Sequence, residues 1–193
     1  MIIPFNQKEH LNSIVDLHYK ELPWSTISRL GKGHLFTVYE RITNLPSTFG
    51  FVWIIDDQVI GFTLCSLNSK ELRKTIQTSF SIKDLKNILK LSIEEPGFII
   101  SALETKFIIP FSLQKIDTNA EWIAWVVDRS HPSSRRAAIE CFFRTNIFFR
   151  EKGQLFYIAQ GDKRSKESNP FLNMIKNVEK KSFFRNNLYV IKL

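Results

Sequence analysis

Apolar and polar positions recur along the chain in periods that predict most of its elements. Ile2 to Phe5 is a short apolar start that reads as an edge strand. From about Lys8 to Leu22, Leu11, Ile14, Val15, His18 and Leu22 recur at spacings of three and four, which predicts a helix with one buried face, stopped by Pro23. A second helical stripe, Leu35, Phe36, Tyr39 and Ile42, runs within about Gly33 to Asn44 and ends at Leu45-Pro46-Ser47-Thr48. Phe49–Ile55 and Val59–Leu67 are rich in β-branched and aromatic residues around Asp56-Asp57-Gln58, the pattern of an antiparallel hairpin. Asn68 to Asn119 turns helical and irregular, with Ile82, Leu85, Ile88, Leu89 and Ile93 as a helix face and Pro96 and Pro110 as punctuation.

Glu121–Asp128 (EWIAWVVD) is apolar between two acidic ends, as a buried strand should be. After the polar turn Arg129-Ser130-His131-Pro132-Ser133-Ser134, a helix is predicted from Ser134 to Lys152, closed by Gly153. Leu155–Gln160 reads as a strand, Asn169–Lys181 as a helix and Leu188–Leu193 as a closing strand. The order is βααββ, a helical insertion over 68–119, then βαβαβ. Alternation of this kind predicts an α/β (α+β) chain, a single domain over 1–193, with parallel strands and crossover helices in its second half.

Composition narrows the classes. Seven glycines in 193 residues is about half the usual ~7 %, and 44 % hydrophobic residues supply a core, which excludes a disordered or collagenous chain. No stretch reaches the about 18 apolar residues of a membrane span, and MIIPFNQKEHLNS lacks the pattern of a signal peptide, so a cytoplasmic location is expected. Cys65 and Cys141 sit in apolar surroundings and read as reduced packing residues. His10, His18, His34 and His131 show no metal-ligand spacing, so no metal site is expected.

The formal net charge of +8 favours polyanionic partners: nucleic acid, a membrane surface or a phosphorylated cofactor. A basic run lies between Lys163 and Arg185, and the simplest reading of much of it is the solvated face of a helix. No zinc-finger pairs, RNP-like aromatic strand or GXXG loop accompany it, so specific nucleic-acid binding is not expected.

Three segments together resemble the GNAT family of acyl-CoA-dependent N-acyltransferases. Residues 17–66 are similar to the family's opening helix pair and the hairpin of its second and third strands, the latter beginning with a motif like Val59-Ile60-Gly61-Phe62. Residues 120–128 (AEWIAWVVD) resemble the family's fourth strand, and the strand–helix–strand unit follows them. The resemblance implies a GNAT-like fold, a mixed central sheet flanked by helices with the 68–119 insertion between the third and fourth strands, and acetyl-CoA or another acyl-CoA as cofactor.

In that family a Gln/Arg-x-x-Gly-x-Gly/Ala turn at a helix start holds the cofactor's pyrophosphate, because free N–H groups and the helix dipole favour an anion. In one register here Arg135 stands first, Ala138 at the first glycine and Glu140 at the second. In the other, Ser133 to Ala138, a small final residue is kept and Arg136 takes the first glycine position. The resemblance thus implies cofactor contacts at Arg135, Arg136, Ala137 and Ala138, with Arg129 nearby as a further cation, and pairing of the pantetheine arm with the backbone at Trp125, Val126 and Val127. The plain alternative is a capped helix with solvent-facing arginines, its cap being Ser133 or Ser134.

Glu121 stands seven residues before Asp128, where the family places a carboxylate that takes the acceptor's proton; the other reading is a solvated strand-end carboxylate. The family's later Asn-x-x-Ala-x-x-Phe-Tyr motif aligns Asn169 with its Asn and Lys176 with its Tyr, which leaves the general acid unassigned, the nearest tyrosines being Tyr157 and Tyr189. The implied function is N-acetyl transfer to a small-molecule or peptide amine by direct attack. Two alternatives stand beside it: a GNAT-fold binding or interaction module without catalysis, and a nucleic-acid binder. The acceptor, the acyl chain and the oligomeric state are not legible, although the insertion and aromatics such as Trp24, Phe80, Phe98 and Phe107 are candidates to wall a pocket.

Overall fold

A mixed sheet with strand order β1-β2-β3-β4-β5-β7-β6 runs through the computed structural model, which describes residues 1–104, 108–109, 116, 118–164, 172 and 178–193. Its strands are β1 (Ile2–Pro4), β2 (Thr48–Ile55), β3 (Gln58–Ser66), β4 (Glu121–Val127), β5 (Phe156–Asp162), β6 (Val178–Ser182) and β7 (Asn186–Lys192). The helices are α1 (Gln7–Glu21), α2 (Thr26–Arg29), α3 (Lys32–Thr43), α4 (Ser69–Gln77), α5 (Ile82–Glu94), α6 (Pro96–Leu103) and α7 (Ser134–Glu151). All neighbouring strands are antiparallel except β4 and β5, which α7 connects as a parallel pair.

Local chemistry explains the elements. Asn6 caps α1 by accepting from the N–H of Lys8 at 3.0 Å, and the expected stripe of Leu11, Ile14, Val15 and His18 is buried. Asp56 and Asp57 both adopt positive φ, 47° and 59°, the geometry of the tight turn that matches strand twist in a two-residue hairpin. α1 and α3 pack on one face of the sheet over Val52, Phe62, Leu64 and Val126. On the other face α7 covers Cys65, Trp122, Tyr157 and Tyr189. A Cβ on Gly61 would stand 3.1 Å from Val127 Cγ1 and 3.3 Å from Ala137 Cβ, so the bare glycine lets α7 lie close to β3 and β4.

His18 is a satisfied core histidine. Its Nδ1 lies 2.6 Å from Tyr39 Oη and its Nε2 3.1 Å from Ser25 Oγ, and burial pushes its pKa down to about 4. Both cysteines are buried as free thiols, and burial raises the pKa of Cys141 to about 12.

The segment between β3 and β4 contributes to the core. Ile109 packs with Ile158, Leu188 and Val190, and the buried Glu104 accepts from the N–H of Arg185 at 2.9 Å and from Asn186 Nδ2 at 2.8 Å, holding the turn between β6 and β7. Helix α5 forms with a Ser81–Asp84 capping box, but Leu89 and Ile93 of its expected apolar face are 66 % and 83 % exposed.

The helix expected over Asn169–Lys181 is corrected at its end: Val178–Ser182 is strand β6, paired antiparallel with β7, and the chain closes in a hairpin rather than a third parallel strand. Of the run that read as a solvated helix face, Glu179, Lys180 and Lys181 belong to this exposed edge strand, where they discourage further pairing. Residues 165–171 and 173–177 lie outside the described residues. Among the described residues, no helix is long and apolar enough to cross a membrane.

Candidate active site

The site is built on β4. Its register with β3 runs Gly61↔Val127 to Leu64↔Ala124 and resumes at Cys65↔Trp122, leaving Ile123 as a bulge. Only two pairs join β4 to β5, Glu121↔Ile158 and Trp122↔Ala159. Beyond them the strands part, so the β5-facing edge of β4 from 123 to 127 has no strand partner among the described residues. The side chains there go into packing. Trp125 stacks on Trp122 with ring centroids 5.1 Å apart, Val126 is buried in the α1–α3 core, and Val127 packs against the Gly61 backbone. What remains open is a strip of backbone donors and acceptors that an extended ligand can join.

Glu121 stands where the two strands converge. Its side chain is 13 % exposed, and Arg73 of α4 donates from Nη2 to Oε2 at 2.9 Å. Burial raises its pKa, and the Arg73 cation only partly offsets this, so the carboxyl holds its proton more strongly than an ordinary glutamate. Arg73 escaped the sequence reading because its partner is 48 residues away and it sits on an otherwise unremarked helix of the insertion.

At the other end of β4, α7 begins at Ser134. Its N-cap residue Ser133 makes no side-chain cap bond; the N–H of Ser134 goes to His131 O at 3.0 Å and that of Ala137 to Ser133 O at 2.9 Å. The N–H groups of Arg135 and Arg136 therefore face outward without a side-chain cap. Both side chains are exposed; that of Arg136 lies 5.6 Å over the Trp53 ring and 3.9 Å from Glu140. Glu140 lies in the second turn of α7 rather than the first. Ala137 is fully buried beside Gly61 with its amide already used, while Ala138 is half-buried.

Arg129 behaves differently from its two neighbours. Its Nε donates to Glu21 Oε2 at 2.6 Å and its Nη2 to the Glu21 carbonyl, and its guanidinium lies 5.2 Å over the Trp24 ring. Arg164, just past β5, donates to Trp24 O at 2.9 Å. Trp24, one of the aromatics expected to wall a pocket, thus lies between the residues that follow the diverging ends of β4 and β5.

Of the other expected residues, Phe98 is buried beneath Arg29, whose guanidinium lies 5.2 Å from its ring. Tyr157 and Tyr189 are buried, and Tyr157 Oη donates to Asn146 Oδ1 at 2.7 Å. Asn169, Lys176 and Phe107 lie outside the described residues.

No protein-family model and no curated protein matches the chain. Solved structures do. The PaiA N-acetyltransferase from Thermoplasma acidophilum, in complex with coenzyme A, matches with TM-score 0.60 at 10 % identity over 100 % of this chain and 99 % of that one. The C-terminal condensation domain of Ebony, in complex with beta-alanyl-dopamine, matches with TM-score 0.67 at 13 % identity over 100 % and 98 % of the two chains. An aminoglycoside N-acetyltransferase in complex with CoA matches with TM-score 0.58 at 14 % identity over 96 % and 93 %. The fold of this chain, a mixed sheet with flanking helices, is that of the GNAT acyl-CoA N-acyltransferases.

Proposed function

We propose that the chain is an acyl-CoA-dependent N-acetyltransferase that uses the cleft between β4 and β5. The observation that carries this reading is the parting of β4 from β5 after two residue pairs, with the buried Glu121 at its closed end and the uncapped start of α7 at its open end. Two of the matched structures hold CoA, and the residues here fit such a group. The N–H groups and side chains of Arg135 and Arg136 suit a pyrophosphate, and the free edge at Trp125, Val126 and Val127 suits an amide-bearing arm. When bound, acetyl-CoA supplies the acyl group as an activated thioester.

The chain's own part is then positioning and proton transfer. Glu121 would accept one proton of the incoming ammonium, directly or through one water, leaving the amine lone pair free for the thioester carbon; the second amine proton would leave with the departing thiolate, for which no residue is assigned as donor. The raised proton affinity of Glu121 suits a base, and Arg73 fixes the carboxylate for the task. The acceptor is a small-molecule or peptide amine.

Isothermal titration should show saturable acetyl-CoA binding, and Glu121→Gln should lower kcat by about 10²-fold with little change in cofactor affinity. No binding at millimolar cofactor overturns the proposal. Binding without turnover over a broad amine panel assigns the chain instead as a GNAT-fold binding module.

A further inference from the structure

A cavity of about 450 Å³ lies between α3 and the start of α5, and it shares no lining residue with the β4–β5 cleft. One wall is the α3 N-terminus. Gly31 is its N-cap, at φ 106° and with no side chain to cap the helix, so the first N–H groups of α3 lack the usual acceptor. At both Gly31 and Gly33 the space a Cβ would enter is open, leaving the backbone uncovered. A backbone exposed in this way at a helix start suits a close-approaching anion.

The second observation is independent. His34 is 7 % exposed and lines the same cavity, yet among the described residues neither ring nitrogen makes a hydrogen bond. Its Nδ1 lies 3.2 Å from Asp84 Oδ2 as an ion-pair contact, and among the described residues its Nε2 has no hydrogen-bond partner. Asp84 is already engaged, because Ser81 donates to its Oδ2 from both N and Oγ at 2.6 Å. Burial alone would raise the Asp84 carboxyl, but these bonds and His34 hold it below its ordinary value, so it stays ionised beside the ring. A bound oxyanion that accepts from Nε2–H gives the ring the partner it lacks, whereas an orphaned buried ring carries a desolvation cost.

We propose that this cavity is a second ligand site, taking a small organic molecule that presents an oxyanion, a phosphate or a carboxylate, to the α3 N-terminus and His34 Nε2. Arg41, whose Nη1 donates to Thr78 O at 2.7 Å, adds positive charge at the far end. The cavity exceeds the room a bare ion needs, and the Phe80 ring, 4.9 Å from the His34 ring, gives the organic body an apolar wall.

The test is a titration of ¹⁵N-labelled protein with inorganic phosphate, and separately with acetate, at constant ionic strength. Saturable shifts of the His34 and Thr37 amides are expected with at least one anion, and the anion that produces them assigns the ligand class. The Arg135 and Arg136 amides report independently on the α7 N-terminus. Gly33→Asp puts a carboxylate where the anion would sit, yet favours the helix dipole and so preserves the fold. It should abolish the His34 response while leaving that at Arg135 and Arg136 intact, and His34→Gln should weaken binding about tenfold, the factor of one good hydrogen bond to a charged group. No saturable shift at His34 with either anion, or an undiminished response in Gly33→Asp, overturns the proposal.

Discussion

The two carboxylates that bracket β4 illustrate how placement decides chemistry. Glu121, buried with one arginine, holds its proton more tightly than usual, whereas Asp128 accepts from Lys20 Nζ at 2.8 Å and from Ser130, and its pKa falls to about 2. A carboxyl whose folded pKa is lowered contributes stability above its unfolded value, near 4, that is lost as pH falls toward 2. Because Lys20 is solvent-exposed, Asp128→Asn should cost only about 0.5–1 kcal/mol at pH 7 and nothing near pH 2, measured by urea unfolding at both. The family resemblance pointed to Glu121, but neither partner of this pair of sites was legible: Arg73 and Lys20 arrive from 48 and 108 residues away. Arg129 shows the converse, since sequence groups it with Arg135 and Arg136 while Glu21 at the end of α1 claims it.

At the scale of elements, period carried far where one face is buried and failed where it is not. Helices α1 and α3 stand where their stripes put them, the β2–β3 hairpin where its β-rich runs put it, and α7 between its polar turn and Gly153. The short α2 offers too few residues for a period, and β6 lost its alternation to charges on a solvent-facing edge. Contacts between elements were mostly not legible, even where a residue type marks them in the structure. Gly50, paired with Leu64 across the hairpin, is such a case: a Cβ there would stand 2.3 Å from Thr63 O and 2.6 Å from Leu64 Cδ2. Backbone cannot move aside as a flexible side chain can, so Gly50→Ala should destabilise the protein by about 2–3 kcal/mol in chemical denaturation, with the β2–β3 amides losing exchange protection first.

At the scale of the whole molecule, the segment between β3 and β4 was legible as helical, but its place in the architecture was not. Residues of 68–119 supply Arg73 to the candidate site, Ile109 to the core under β5 and β7, and Glu104 to the final hairpin. Glu104→Ala leaves the Arg185 amide and the Asn186 side chain unpaired in a buried place and should cost about 2–3 kcal/mol of stability, read from the urea midpoint. With only two residue pairs between β4 and β5, the sheet is mechanically two panels, β1-β2-β3-β4 and β5-β7-β6, joined at one corner. The rest of the join is made by side chains, notably the α7 residue Asn146 gripping Tyr157 of β5. An occupant of the gap would therefore act as a lacing as well as a substrate, stitching the two panels along the length that the chain itself leaves unsewn.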